Sequence, residues 1–295
     1  MLSHFEYAAP SSMKEALAAL QADGVEAIAG GTDLLVQMRD GAVRPNQLVD
    51  LTELDLSYVR EEADWIEIGA TTTFAELIES QTISSKLPAL AEAAGEIGVV
   101  QTRNLATIGG NVCSAVPSAD AAPPLLALGA TVDIVGPEGS RNVPVDGFFV
   151  GPRETVLERG EVVVAFRIPI PAERSGSSFH KRGRRKALTL AVVNAAAYVE
   201  ASEDLRTVQE VRISLGAVAP TPIRAWDAEA ALRGREFSER LIDEVGVTAC
   251  REIAPIDDIR ATAACRDHIS NQLVKQALTT AWQRATGQAH YEEVS

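Results

Sequence analysis

Cysteine is scarce in this 295-residue sequence: Cys113, Cys250 and Cys265 are the only three, and no two form a C-x-x-C pair. Thiolate-held iron–sulfur clusters generally take four cysteine ligands, so a cluster of the chain's own is not expected. Three scattered thiols do not make a disulfide framework either. Histidine is nearly as sparse, at His4, His180, His268 and His290. No metal-ligand spacing emerges, so any redox chemistry falls to an organic cofactor.

Long apolar runs are also missing; none approaches the roughly 20 residues that span a bilayer. The first residues, MLSHFEYAAPSS, lack a basic start followed by an apolar stretch. They do not read as a secretory signal, and a cytoplasmic protein is expected. Positive charge is in deficit: 27 basic against 41 acidic residues give a formal net charge of -14. Such a surface repels nucleic acid and anionic lipid. Absent too are G-x-G-x-x-G after a strand, G-x-x-x-x-G-K-[ST] and G-x-S-x-G. A Rossmann site, a P-loop and a nucleophile elbow thus lack their signals.

What is present is an ordinary globular composition, 46% hydrophobic and 23% charged. Its length suits two domains, or one large domain with a smaller partner. Ser12 and Glu15 frame a capping box ahead of a helix that stops near Asp23-Gly24. A strand is predicted over 25–29. Thr32 is placed to cap a second helix, and 47–51 reads as another strand.

Next come a strand over 65–69, helices near 73–80 and 88–97, a glycine-containing segment over 102–117 and a helix over 120–128. Strands follow near 131–135 and 161–168. The Pro-, Ser- and Gly-rich stretch 169–178 is the best boundary. Beyond it, apolar runs over 191–199 and 208–218 read as strands of one sheet. Helices are expected over 222–232, 238–253 and about 267–286. Strands followed by helices without regular alternation point to α+β.

Two glycine-rich segments bear the chemistry. Ala29-Gly30-Gly31-Thr32-Asp33 lies between a strand and a helix, and Thr107-Ile108-Gly109-Gly110-Asn111 runs on to Ser118-Ala119-Asp120. Paired glycines let backbone N–H groups approach an anion. A helix start adds aligned donors. Two such loops meeting in space could hold a diphosphate; each alone also suits an ordinary turn. The basic cluster Lys181-Arg182-Gly183-Arg184-Arg185-Lys186 reads either as a solvated strand edge or as a positive site near a cofactor or subunit contact.

These segments resemble the flavoprotein subunits of molybdenum hydroxylases. Ala29 to Asp33 is similar to that family's first FAD loop, and Gln101-Thr102-Arg103-Asn104-Leu105-Ala106 leading into Thr107 to Asn111 is similar to its second. The likeness extends through Ser118-Ala119-Asp120, Glu161-Val162-Val163-Val164-Ala165-Phe166 and Gly216-Ala217-Val218-Ala219-Pro220-Thr221-Pro222-Ile223-Arg224. It looks closest to separate FAD subunits of bacterial xanthine dehydrogenases, with carbon monoxide dehydrogenase medium subunits somewhat further off.

The resemblance implies a PCMH-type FAD-binding domain in two subdomains, 1–58 and 59–172, and a C-terminal α+β domain, 177–287, with a small antiparallel sheet and helices. It implies noncovalent FAD, with Ala29, Gly30, Gly31, Thr32 and Asp33 on one side of the diphosphate and Thr107, Ile108, Gly109, Gly110 and Asn111 on the other. Asp120 would bond sugar or ribityl hydroxyls, Val163 would pack on the isoalloxazine, and Lys181 would sit near its polar edge. A molybdenum cofactor-binding large subunit and a [2Fe-2S] small subunit would be partners, and NAD, a quinone or oxygen the acceptor. No catalytic acid or base is assigned. Two rivals stay open: a stand-alone FAD oxidoreductase using a base such as His180, and a flavin-free scaffold of the same fold.

Overall fold

The computed structural model describes residues 4–185 and 189–288. Lys186, the end of the basic cluster, and His290 lie outside the described residues.

The first unit comprises β1 (Glu6–Ala8), α1 (Met13–Leu20), β2 (Val25–Ile28), α2 (Leu34–Asp40) and β3 (Gln47–Asp50). Its strands lie in the order β1-β3-β2, all parallel. Ala16 and Leu20 of α1 pack on Val49 and Leu51, and Val162 of the next unit closes this small core. Ser12 accepts the Glu15 N–H at 3.4 Å, one arm of the expected box. Asp33, not Thr32, is the cap residue of α2. Its side chain makes no cap bond and instead accepts from Gln37 Nε2 at 2.8 Å.

The second unit holds β4 (Val59–Glu61), β5 (Trp65–Gly69), α3 (Phe74–Glu79), α4 (Gln81–Lys86), α5 (Pro88–Gly95), α6 (Val100–Arg103), α7 (Ile108–Cys113), α8 (Ala122–Ala127), β6 (Thr131–Gly136), β7 (Gly139–Pro144), β8 (Phe149–Gly151), β9 (Glu154–Thr155) and β10 (Val162–Pro169). The antiparallel order is β4-β5-β10-β6-β7, with β8 and β9 a separate hairpin. Thr73 and Glu76 form a complete capping box at α3. Phe74, Leu77, Leu90, Ile108, Phe148 and Phe166 are fully buried between helices and sheet. Their burial removes apolar area from water at about 25 cal/mol per Å².

The third unit contains β11 (Ser175–Arg182), β12 (Val193–Ala201), β13 (Val208–Gly216), β14 (Ile223–Arg224), α9 (Trp226–Leu232), α10 (Glu239–Ala249) and α11 (Ala263–Ala285). Its four strands pair antiparallel in sequence order, and the two expected strands are neighbours. β11 begins inside the Pro/Ser/Gly stretch read as a boundary. The helix expected from 222 opens instead with β14, and α11 starts at Ala263, capped by Thr262, ahead of its expected start. One small parallel β-α unit beside two antiparallel sheets with helices that do not alternate regularly makes the chain α+β.

The third unit touches the second through buried polar links. The Ala217 N–H donates to Pro117 O at 2.7 Å, and Ser214 Oγ donates to Pro123 O at 2.6 Å. These bonds hold the 117–123 segment against β13, next to the cleft described below.

Candidate functional site

A cleft of about 870 Å³ opens where the loop between β2 and α2 faces α7, the 114–120 segment and the start of β10; Thr189 and Leu190 of the third unit also reach it. Ala29, Gly30, Gly31, Thr32 and Asp33 line it from one side. Thr107, Gly109, Gly110, Asn111 and Asp120 line it from the other, and Val163 contributes from β10. The two glycine segments therefore converge. Ile108 does not line the cleft; it is fully buried in the second unit's core. Lys181 does not line it either.

The glycines do unequal work. A Cβ on Gly30 would lie 1.7 Å from Leu105 O, and one on Gly109 would lie 2.6 Å from Ala70 O. These two glycines let the chain's own backbones touch. Gly31 has a φ of +67°, a left-handed conformation that suits glycine. A Cβ on Gly110 would meet only Thr107 Oγ1, at 3.0 Å.

The backbone donors are just as unequal. At α7, the N–H groups of Ile108, Gly109 and Asn111 donate to Thr72 O, Ala70 O and Thr107 O. The Gly110 N–H donates to Thr107 Oγ1 at 3.1 Å. This helix start therefore spends its donors inside the protein, contrary to the expectation that they face a ligand. Among the described residues, the N–H groups of Gly30, Gly31, Thr32 and Asp33 have no hydrogen-bond acceptor. The first loop is the open one.

Two further residues bring unpaired hydroxyls to the cleft wall. Thr71 Oγ1 and Ser118 Oγ are buried without a hydrogen-bond partner, and both residues line the cavity. A buried hydroxyl left unpaired costs free energy, so an orphan at a cavity wall points to a ligand. Sequence reasoning did not single out Thr71, and it named Ser118 only within the Ser118-Ala119-Asp120 segment, with no role of its own. Thr71 is one of three consecutive threonines, and nothing local distinguishes it from Thr72 and Thr73.

Asp120 is 7% exposed. Its Oδ1 accepts from Asn194 Nδ2 at 2.8 Å and its Oδ2 from Lys181 Nζ at 2.5 Å. Burial pushes its carboxyl above the usual range, against the opposing pull of Lys181 and Asn194. The Lys181 side chain is 2% exposed and also donates to Glu96 O at 3.0 Å. It stands behind Asp120 and is not a cation open to the cleft. At Lys181 both the positive-site and the solvated-edge readings are corrected accordingly, whereas Arg182, Arg184 and Arg185 are exposed at or just past the end of edge strand β11.

Val163 sits at an irregularity in the β10–β6 pairing, between Val163 and Ala165, that re-aims the strand beside the cleft. Cys113 also lines the cleft, and burial pushes its thiol up to about 12. His180 lies elsewhere, with Nε2 3.4 Å from Thr280 Oγ1, and burial pushes its imidazole below the usual value. No described histidine lines the cleft. A second depression of about 670 Å³ surrounds Trp226 and Arg224. Two of its polar groups are occupied: Arg224 pairs with Glu229, and Glu252 accepts the N–H groups of Asp227 and Ala228.

Residues 3–171 match the family described as FAD binding domain in molybdopterin dehydrogenase, and 178–281 match the CO dehydrogenase flavoprotein C-terminal domain. The carbon monoxide dehydrogenase medium chain of Hydrogenophaga pseudoflava is 37% identical, the match covering 95% of this chain and 98% of that one. The putative xanthine dehydrogenase FAD-binding subunit of Escherichia coli K12 is 35% identical, covering 91% and 93%. Both groups of the expected resemblance are thus found among the relatives. Among solved structures, carbon monoxide dehydrogenase from Hydrogenophaga pseudoflava superposes with a TM-score of 0.93 at 37% identity, covering 96% of this chain and 99% of that chain. Quinoline 2-oxidoreductase from Pseudomonas putida 86 gives 0.91 at 30% identity, covering 97% and 99%.

Proposed function

Because this chain belongs to the FAD-binding family of molybdopterin dehydrogenases, we propose that it is the electron-transfer flavoprotein subunit of a xanthine dehydrogenase-like molybdenum hydroxylase. Its partners are a molybdenum cofactor-binding large subunit and a [2Fe-2S] small subunit. Electrons arrive from the iron–sulfur subunit and leave to an external acceptor such as NAD, a quinone or oxygen. The complex works in the cytoplasm; among the described residues no helix is long and apolar enough to cross a membrane.

The observation that carries this reading is the cleft's unmet hydrogen-bonding capacity. Four consecutive N–H groups without an acceptor and two unpaired hydroxyls belong to residues lining a cavity whose size lies within the roughly 300–1,000 Å³ of cofactor sites. That donor set fits an anionic dinucleotide. FAD, when bound, supplies both one-electron and two-electron chemistry. The protein's part is binding and electrostatics. The Gly30 to Asp33 N–H groups would donate to the diphosphate, and Thr71 and Ser118 would supply hydroxyls to cofactor oxygens. Asp120, held in place by Asn194 and Lys181, would accept from a sugar or ribityl hydroxyl. Lys181 balances Asp120, so the carboxylate adds little net repulsion beside an anion. Val163 packs on the isoalloxazine. None of these residues needs to transfer a proton.

The cofactor is held noncovalently. A thiol pushed up to about 12 stays protonated at neutral pH and is a poor nucleophile. The base that a stand-alone oxidase would draw on, His180, faces Thr280 and not the cleft, which favours the subunit reading. The test is purification of the chain alone and then with its two partners. The chain alone should be yellow, release all its flavin on acid denaturation, and fail to oxidise purines. Turnover without partners would support the stand-alone reading. A colourless chain that cannot be reconstituted would support the scaffold.

A further inference from the structure

We propose that Arg153 is a diphosphate-binding residue that closes the cleft from the wall opposite the first glycine loop, and that Asp33 is the positioning residue that holds it there. This rests on the cleft being the FAD site, and it adds a contact carried by neither glycine segment.

Arg153 stands at the turn between β8 and β9 with a φ of +62°, unusual for a residue with a side chain. Its N–H donates to Ala115 O at 2.8 Å, which pins the turn to the segment just after α7. Its guanidinium reaches the first loop, where Nη1 donates to Asp33 Oδ2 at 3.0 Å. The residue thus straps one wall of the cleft to the other, and both members of the pair line the cavity. Asp33 Oδ2 is itself fixed by Gln37 Nε2 at 2.8 Å.

Three arguments make this a ligand contact and not a stabilising bridge. The pair is about half exposed, 48% and 39%, and such ion pairs contribute little to stability. Only one of the five guanidinium N–H donors is used among the described residues. The charges lining the cleft supply the third. Its carboxylates are Glu26, Asp33, Asp120 and Glu161, and its cations among the described residues are Arg153 and Arg159. Asp120 is paired with Lys181, Glu161 with Arg141 and Arg159 with Asp23. Arg153 is paired within the first loop itself, to Asp33, and so is the lining cation held beside the open N–H groups. A bare Asp33 carboxylate would repel a diphosphate. A guanidinium fork between them donates to both.

The test uses the FAD-loaded chain and follows flavin release by recovery of fluorescence on dilution. Arg153→Ala should release FAD about tenfold faster, as expected for loss of a hydrogen bond to a charged group. The absorption spectrum of the bound flavin should stay unchanged, because the ring environment is not touched. Arg153→Lys should recover part of the loss. Asp33→Asn should speed release in the same direction by a smaller factor. ADP, which carries the diphosphate without the flavin, should compete with FAD about tenfold less well in Arg153→Ala than in the unaltered chain. Release from the unaltered chain should accelerate with salt, since the pair is open to screening. Salt-independent release, or wild-type retention in Arg153→Ala, would overturn the proposal while leaving the FAD site intact. A shifted flavin spectrum in Arg153→Ala would count against it as a sign of general damage. An unaltered chain that holds no FAD would remove the cofactor reading and this one with it.

Discussion

Gly30 and Gly110 are the same residue type with different duties. Gly30 has a backbone carbonyl where its Cβ would go, whereas Gly110 has only a hydroxyl at the edge of contact. Gly30→Ala should therefore lower the stability of the whole chain, read as a drop in melting temperature. Gly110→Val should leave the chain folded yet unable to retain flavin, because added bulk fills the cleft. Unchanged flavin absorbance in Gly110→Val would contradict the placement of the cofactor. Both glycines were visible in the sequence, but their division of labour was not: it depends on Leu105, which only the fold brings alongside Gly30. Asp120 makes a second case. Asp120→Asn leaves the buried Lys181 cation without its counter-charge, a defect of about 3–5 kcal/mol. Urea unfolding should show that loss, and a Lys181→Met, Asp120→Leu double variant should recover much of it. The thiols give a third. Cys113 and Cys250, pushed up to about 12 and about 11, should resist a thiol reagent at pH 8, while exposed Cys265 reacts. Reaction of all three thiols should need unfolding.

Among the elements, α3 shows how a cap ties stability to pH. Burial raises the Glu76 carboxyl, but bonds from the Thr73 N–H and hydroxyl and from Ser57 outweigh it and hold it below the usual range. A carboxyl lowered in the folded state contributes stability at neutral pH and loses it as the pH falls through the folded value. The stability gap between the unaltered chain and Glu76→Gln should thus be largest near pH 7 and shrink below pH 4, read by urea midpoints across pH. A gap that widens in acid would reverse the assignment. Strands rich in β-branched residues, such as β6 and β10, were legible from composition. β11 was not, because Ser175-Gly176-Ser177-Ser178 carries no apolar alternation. Its core is made by close approach: a Cβ on Gly176 would lie 2.2 Å from Ala281 O of α11. Small residues there admit a helix backbone, and that requirement looks like a linker in one dimension. β14 was hidden likewise, two residues long and defined only by pairing with β13.

For the whole molecule, the cleft is a product of three units. The first supplies open N–H groups, the second supplies Asp120, Thr71 and Ser118, and the third holds the 117–120 segment through Ala217 and Asn194. The glycine pairs were legible because backbone geometry demands them. Thr71, Arg153 and the role of Ser118 were not, since only tertiary contact leaves two hydroxyls unpaired and swings an arginine across a gap. The third unit's grip predicts that Asn194→Leu, outside both glycine segments, should weaken flavin retention by freeing Asp120; flavin fluorescence on dilution would register it. The most direct measurement is the crystal structure of the FAD-loaded chain. The diphosphate should lie within hydrogen-bonding distance of the Gly30 to Asp33 N–H groups, with Thr71 and Ser118 donating to the same molecule. Flavin density anywhere else, or those N–H groups bonded only to water, would contradict the account.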